Sequence, residues 1–502
     1  MICGSISQVR STKTAVEAQM DNPIQNPLLQ APGLSSISGW LADPKLLVQA
    51  LIHSPVPFAG ECDLPLAQRR RLTDQYQKIF VPTHQAMRIA DRILSALLQG
   101  LERRNPTWPE VQRWINSTQQ WYRRSVDEIP WNPVQAKGMI LEGMTGIGKS
   151  HIVERVLGLL PQVVDHEPKG DWGMLKLRQL VWLKVPMPAD HSRRGLLASI
   201  LAEMDRVLET EYYKSLIRSS NKIETLIVGV MQLLVQHRCG MLIIEEAQEA
   251  NLGSKVFSRD FLNFFLRILN WGIPTMIVGN PLSFIELRTH AQDVDRFSEG
   301  GWFTMFPEWG PQSDTWTKSW LPGLWQPCLL DLADSPFKTL DAMGEATDWP
   351  SLLWQMTGGL PRQLARLRAE VMDWALINNV SQVTTDLVFQ VFVQSPKFSI
   401  VRARNRALAN HDINTLMDYR DLPHNQLRDY WLKDLPGPAR KKPKSGETFD
   451  SQLTVASTDK EEESNAAAEQ KRLMAGLKFL TDEAGRERRA RQSGKRGKKD
   501  VE

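Results

Sequence analysis

Residues 138–150 read Gly-Met-Ile-Leu-Glu-Gly-Met-Thr-Gly-Ile-Gly-Lys-Ser, and this stretch decides the fold. It opens on an apolar run, 138–141, of the kind that forms a strand buried on both faces. It continues into Gly143, Met144, Thr145, Gly146, Ile147, Gly148, Lys149 and Ser150, a complete GxxxxGK[ST] motif. The glycines let the backbone curl so that successive N–H groups point at phosphate oxygens. A helix starting near Lys149 adds the positive end of its dipole. Lys149 is expected to reach the β- and γ-phosphates, and Ser150 to hold Mg2+. The ligand implied is ATP or GTP with Mg2+.

Working outward, the runs 180–185 (LVWLKV), 241–244 (MLII) and 274–279 (PTMIVG) are also apolar on both faces. Between them lie HIVERVLGLL, RRGLLASILAEMDRVL and FSRDFLNFFLRILNW, which read as amphipathic helices. This alternation predicts an α/β fold, a parallel sheet sandwiched by helices.

The third run ends in Glu245-Glu246, preceded by four apolar residues, which argues against a surface acidic pair. Two acids at a strand's C-terminal end can face the metal and the γ-phosphate together. Glu245 is expected to support Mg2+ and Glu246 to polarise the attacking water. Asp is usual at the first position, so the extra methylene of Glu245 bears on hydrolysis rate more than on binding. The fourth run ends at Gly279-Asn280, where Asn280 either orients that water, as sensor 1 does in AAA+ ATPases, or simply ends a strand. Thr357-Gly-Gly-Leu-Pro-Arg362 opens a further helix and resembles the GxPR sensor-2 signature of an AAA+ lid. Arg362 is then expected at the γ-phosphate. Arg296 and Arg288 follow the fourth run, where an arginine finger for a neighbouring subunit is expected. Arg296 is preferred, without a reading of the residues that excludes Arg288.

The chain's 502 residues carry 61 Lys+Arg against 57 Asp+Glu, a net charge of +4 too small to mark a nucleic-acid binder by itself. Residues 436–502 hold 16 basic and 12 acidic residues, so the whole excess lies there and the rest balances. The four cysteines are scattered without CxxC spacing, against a zinc site or disulfide scaffold. No run of about 18 apolar residues occurs, and residues 1–20 lack a signal-peptide core. A soluble, cytoplasmic protein without membrane partners is expected. Expected domains are an extended segment 1–35, a helical region 36–115, an AAA+ ATPase core 116–335, a helical lid 336–400, a helical region 401–435 and a disordered basic tail 436–502. That tail is either solvated or in contact with phosphates or a partner. Most of the 17 Trp residues are assigned to packing rather than to base stacking.

Several segments taken together resemble the TnsC/TniB family, AAA+ ATPase regulators of Tn-seven-like DNA transposition. They are VEAQMDNPIQNPLL, LEGMTGIGKS with LPQVVDHE, LIIEEAQ, FLNFFLRILNWGIPTMIVGNP and TGGLPRQLARL, spanning roughly residues 14–430. The DNP segment and the FLNFF…GIP…GNP stretch are the more specific parts. The departures are Glu245 for Asp and an unmatched tail. The resemblance implies ATP as the nucleotide, slow hydrolysis and a homo-oligomeric ring or filament on duplex DNA. It further implies a target selector of TnsD/TniQ type and the transposase subunits TnsA and TnsB as partners. In such a ring Arg193, Arg194, Lys214, Arg218 and Lys222 are candidates for phosphate contact, and each also reads as a solvated helix end. A helicase-loader or initiator-type AAA+ ATPase shares every nucleotide motif. A scaffold that binds ATP with little hydrolysis is the third alternative.

Overall fold

Seven strands are formed among the described residues of the computed structural model. They are β1 (Gly138–Gly143), β2 (Val163–His166), β3 (Leu177–Leu180), β4 (Trp182–Pro186), β5 (Met241–Ala247), β6 (Thr275–Gly279) and β7 (Trp302–Met305). The described residues are 26–54, 63–72, 78–123, 135–167, 176–188, 192–219, 222–247, 259–285, 287–289, 291–325, 348–380 and 383–433. Five strands make one sheet in the order β4-β5-β6-β1-β7, and every pairing within it is parallel. β2 and β3 form a separate antiparallel pair. All four apolar runs of the sequence lie in the parallel sheet, the second beginning at Trp182 rather than residue 180.

A parallel sheet must be covered on both faces, and side chains alternate between two apolar cores. Ile140, Leu242, Ile244 and Ile277 face one; Met139, Leu141, Ile243 and Met276 face the other. The first core is closed by α3 (Arg193–Leu208), α4 (Ile223–Gln236), α5 (Arg259–Asn270) and α6 (Ala291–Ser298). α4 is apolar nearly all round, with Leu226, Val230, Met231 and Leu234 fully buried, as a helix enclosed by others must be.

The second core is closed by α1 (His84–Glu102) and α2 (Lys149–Leu157). α1 carries Ile89, Ile93, Leu97 and Leu101 at helical spacing, and Thr83 accepts from Ala86 N at its start. Leu28 from the N-terminal side and Leu427 and Trp431 from α10 (His424–Lys433) enter the same core. The helical regions flanking the sheet therefore share one interior with it.

A third core belongs to the lid: α7 (Trp349–Thr357), α8 (Pro361–Ile377), residues 385–394 and a widened helical segment Trp316–Trp325. Trp316 and Trp354 meet edge to face at 5.3 Å there. Trp121, Trp271, Trp316 and Trp354 are fully buried, as packing residues are, while Trp309 is exposed. α9 (Arg402–Ala409) packs on the lid, and Trp354 Nε1 donates to the carbonyl of Ala409. Among the described residues no helix is long and apolar enough to cross a membrane.

Candidate nucleotide-binding site

Because the sheet is parallel, all its C-terminal ends meet at one edge, where ligands of such folds bind. There β1 runs into the glycine-rich loop and α2 begins at Lys149. Gly146 and Gly148 take φ of +91° and +104°, backbone states that L-residues rarely adopt. A Cβ on Gly143 would lie 2.8 Å from the Met305 carbonyl of β7, so the loop leaves the sheet only without a side chain there. On Gly148 it would meet nothing within 4 Å, which makes this the open side of the cradle.

Lys149 Nζ donates to the carbonyls of Gly143 at 2.6 Å and Met144 at 3.0 Å, which holds the ammonium at the loop's mouth. Burial lowers its pKa to about 8, against the charge of Glu245, which raises it. Thr145 and Ser150 are exposed, while Met144 and Ile147 anchor the loop in the second core.

Glu245 is a buried acid at the end of β5. It follows the face of Ile243 and so lies on the side of the sheet that carries α2. The β5–β6 pairing steps from Ile244↔Ile277 to Ala247↔Gly279, placing one extra residue on β5. That bulge falls on Glu245 and Glu246; bulges re-aim side chains. The Glu246 side chain lies outside the described residues.

Sequence reasoning missed Lys184. From β4 its ammonium reaches Glu154 on α2 at 2.7 Å and Glu245 at 3.3 Å. Burial would lower the Lys184 pKa, but the two carboxylates outweigh it and hold it above its ordinary value. A lysine inside an apolar run reads as part of a buried strand, and only the neighbouring acids give it meaning.

Asn280 donates from Nδ2 to the Asp421 carbonyl at 2.8 Å, and its Oδ1 accepts from Leu282 N. Both ends of the amide are thus engaged in a turn and a tie to the C-terminal region. Arg362 begins the lid helix α8, and its backbone N–H donates to the Gly146 carbonyl at 3.3 Å. Its exposed side chain lies beside Gly146, within 3.5 Å of where a Cβ would stand. Arg404 of α9 is a second cation here. Burial pulls its pKa down, Asp421 and Tyr419 oppose this, and nearby Arg366 and Arg362 add to the depression.

Arg288 turns inward. It pairs with Glu142 of β1, which is fully buried and also accepts from Thr304 Oγ1 at 2.5 Å, and it lies 5.0 Å over the Trp302 ring. Arg296 is exposed near the C-terminal end of α6 and donates to Asn270 Oδ1 at 2.5 Å. Its neighbour Phe297 packs against Gly138, the first residue of β1. The length of β1, roughly 16 Å, separates it from the P-loop of its own chain.

Arg193 and Arg194 form the first turn of α3, behind the Ser192 cap. Cations there oppose the helix dipole. Lys214 pairs with Glu211 at 3.4 Å. It lies two residues after Tyr212, whose hydroxyl meets His237 at the C-terminal end of α4, while Lys222 precedes that helix's start. The Arg218 side chain lies outside the described residues.

The loop, the mouth ammonium, the exposed Ser150 hydroxyl and the buried Glu245 are a donor set that fits a nucleoside triphosphate with Mg2+. Among the described residues there is no cluster of three His, Cys, Asp or Glu side chains to hold a metal by protein ligands alone.

The family model of the AAA domain matches residues 134–287, which run from before β1 through the segment after β6. Among solved structures the chain is similar to the ORC2 protein of Aeropyrum pernix in its ADPNP–ADP complexes. The identity is 13%, covering 56% of this chain and 67% of that one, with a TM-score of 0.34. It is also similar to the ADP form of ORC2, at 12% identity over 64% and 83% of the chains and a TM-score of 0.32. Cdc6p of Pyrobaculum aerophilum gives 12% identity over 63% and 84%, with a TM-score of 0.30. No curated protein sequence matches the chain. Sheet, P-loop and family match together make the core an AAA+ P-loop NTPase fold with extensions at both ends.

Proposed function

We propose that this chain is an ATP-dependent switch that assembles on duplex DNA, regulates DNA transposition and hydrolyses ATP to disassemble. The observation that carries the nucleotide reading is the Lys149 ammonium held at the mouth of the glycine-rich loop by the Gly143 and Met144 carbonyls, within reach of the charge of the buried Glu245. The Gly143–Ser150 amides and Lys149 hold the phosphate chain, while Ser150 and Glu245 are the protein's metal donors. Mg2+, when bound, supplies neutralising charge on the phosphate oxygens. Glu246 holds the attacking water and accepts its proton. Arg362 approaches from the lid, and Arg296 acts on a neighbour's nucleotide.

The role in transposition rests on the resemblance of the DNP, FLNFF…GNP and GLPRQL segments to the TnsC/TniB family. That family supplies the partners proposed here: TnsA, TnsB and a TnsD/TniQ-type selector. DNA contact through Arg193, Arg194, Lys214, Arg218 and Lys222 would be sequence-independent and multiplied by assembly.

Electron microscopy with duplex DNA and a non-hydrolysable ATP analogue tests the assembly, with turnover measured on the same samples. Glu246→Gln should retain ATP-dependent rings or filaments and lose hydrolysis by orders of magnitude, while Lys149→Ala should lose both. Assemblies that form equally without nucleotide would overturn the switch.

A further inference from the structure

The network around Lys184 goes beyond holding the nucleotide. Glu245 is the acid assigned to the metal, with a side chain only 11% exposed, and it pairs with the Lys184 ammonium at 3.3 Å. The same ammonium is closer to Glu154, at 2.7 Å, whose side chain is 56% exposed. Glu154 stands on α2, the helix that Lys149 begins. Lys184 is itself fixed on β4, between Leu183 and Val185, which are buried in the core on the opposite face of the sheet. One cation is thus shared between a buried carboxylate that a metal needs and an exposed one that it does not.

An ammonium and Mg2+ seek the same carboxylate oxygens and repel each other across them. We propose that Lys184 is a positioning residue that competes with Mg2+ for Glu245 and shifts wholly onto Glu154 when the metal arrives. Glu154 is the acceptor that makes this transfer cheap. The pair Lys184–Glu154 therefore sets how much free Mg2+ the site needs before it closes on ATP. This rests on the nucleotide site proposed above.

The test measures binding, without turnover. A fluorescent ATP analogue is titrated onto the full-length chain in EDTA and over a series of free Mg2+ concentrations. The half-saturating Mg2+ concentration is the readout. Lys184→Gln removes the competitor and should lower that midpoint about three- to tenfold, the worth of one partly screened ion pair. Glu154→Gln leaves the ammonium with Glu245 alone and should raise it by a similar factor. The double variant should behave as Lys184→Gln does, because without the lysine Glu154 has nothing to receive.

General loosening of the site would move both single variants in the same direction, so opposite shifts support the proposal and parallel or absent shifts overturn it. Should Lys184→Gln unfold, which a thermal melt without nucleotide reports, an unchanged midpoint in Glu154→Gln is sufficient to reject it. Glu245→Gln and Lys149→Ala keep the two levels apart. If neither alters nucleotide binding or its Mg2+ dependence, the site itself is misassigned. If both do while Lys184→Gln and Glu154→Gln leave the midpoint in place, only the competition is wrong.

Discussion

The backbone N–H of Arg362 donates to the carbonyl of Gly146, so the lid helix starts on the P-loop itself. This tie uses main-chain atoms, and Arg362→Ala leaves it in place. Unfolding free energy without nucleotide should stay within about 0.5 kcal/mol of the unmodified protein. ATP affinity should fall about ten- to a hundredfold, the loss of a charged hydrogen bond, with ADP affected far less. Equal losses for ATP and ADP would place the guanidinium away from the γ-phosphate.

Lys149 gives the site a pH signature. Its pKa in the free protein is about 8, lowered by burial, and phosphate binding favours the charged form. Below pH 8 the ammonium is present beforehand and affinity should be flat. Above it, binding must take up a proton, and metal-free ATP affinity should drop by up to about tenfold per pH unit. The folded pKa lies below the unfolded one, so folding stability should rise as pH passes upward from about 8. A titration between pH 7 and 9.5 checks the binding arm, with Lys149→Arg expected to flatten it.

The two candidate fingers are separable by stability. Arg288→Ala strands the fully buried Glu142 carboxylate. The cost should be about 2–3 kcal/mol, below that of a wholly buried pair because Arg288 is 38% exposed. Arg296→Ala, on the surface, should cost under about 1 kcal/mol and yet impair hydrolysis. Mixing Arg296→Ala with Lys149→Ala protein should restore part of the turnover, since some mixed interfaces carry both intact residues. Urea denaturation and a mixing series measure these. No recovery at any ratio would remove Arg296 from the neighbour's site.

Gly240 is a packing constraint just ahead of β5. A Cβ there would stand 2.3 Å from the Val181 carbonyl and 2.9 Å from Leu97 Cδ1. The carbonyl cannot yield easily, because Gly240 N and Met241 N are bonded to Leu180 and Val181. Gly240→Ala should therefore lower stability by about 2–3 kcal/mol. Chemical denaturation with an unchanged m-value is the check; a neutral result would mean β4 and β5 can slide apart there.

What the sequence reveals divides along physical lines. The strands β1, β4, β5 and β6 are apolar runs, and their pattern carries the fold. The remaining strand of that sheet, β7, is only four residues, WFTM, at an edge, half exposed and without a sustained period. The P-loop is local in sequence and its chemistry is readable as a string. The Lys184–Glu245–Glu154 and Arg288–Glu142–Thr304 groupings join residues from separate elements. Nothing short-range marks either of them. Asn280 shows both kinds of signal: its Oδ1 bond to Leu282 N is plain turn chemistry legible in sequence, while its Nδ2 bond to the Asp421 carbonyl is not.

The two cores on either side of the sheet have different spans in the chain. The first draws on residues from Val111 to Trp302, so it can close while synthesis is still under way. The second begins with Leu28 and includes Trp431. As the chain leaves the ribosome, α1 must carry Ile89, Ile93 and Leu97 uncovered until the sheet appears, and the second core stays open until α10 follows. Such delay is where chaperones find clients and where truncated chains aggregate. A nascent chain halted before α10 would thus hold every nucleotide motif and still lack a closed second core.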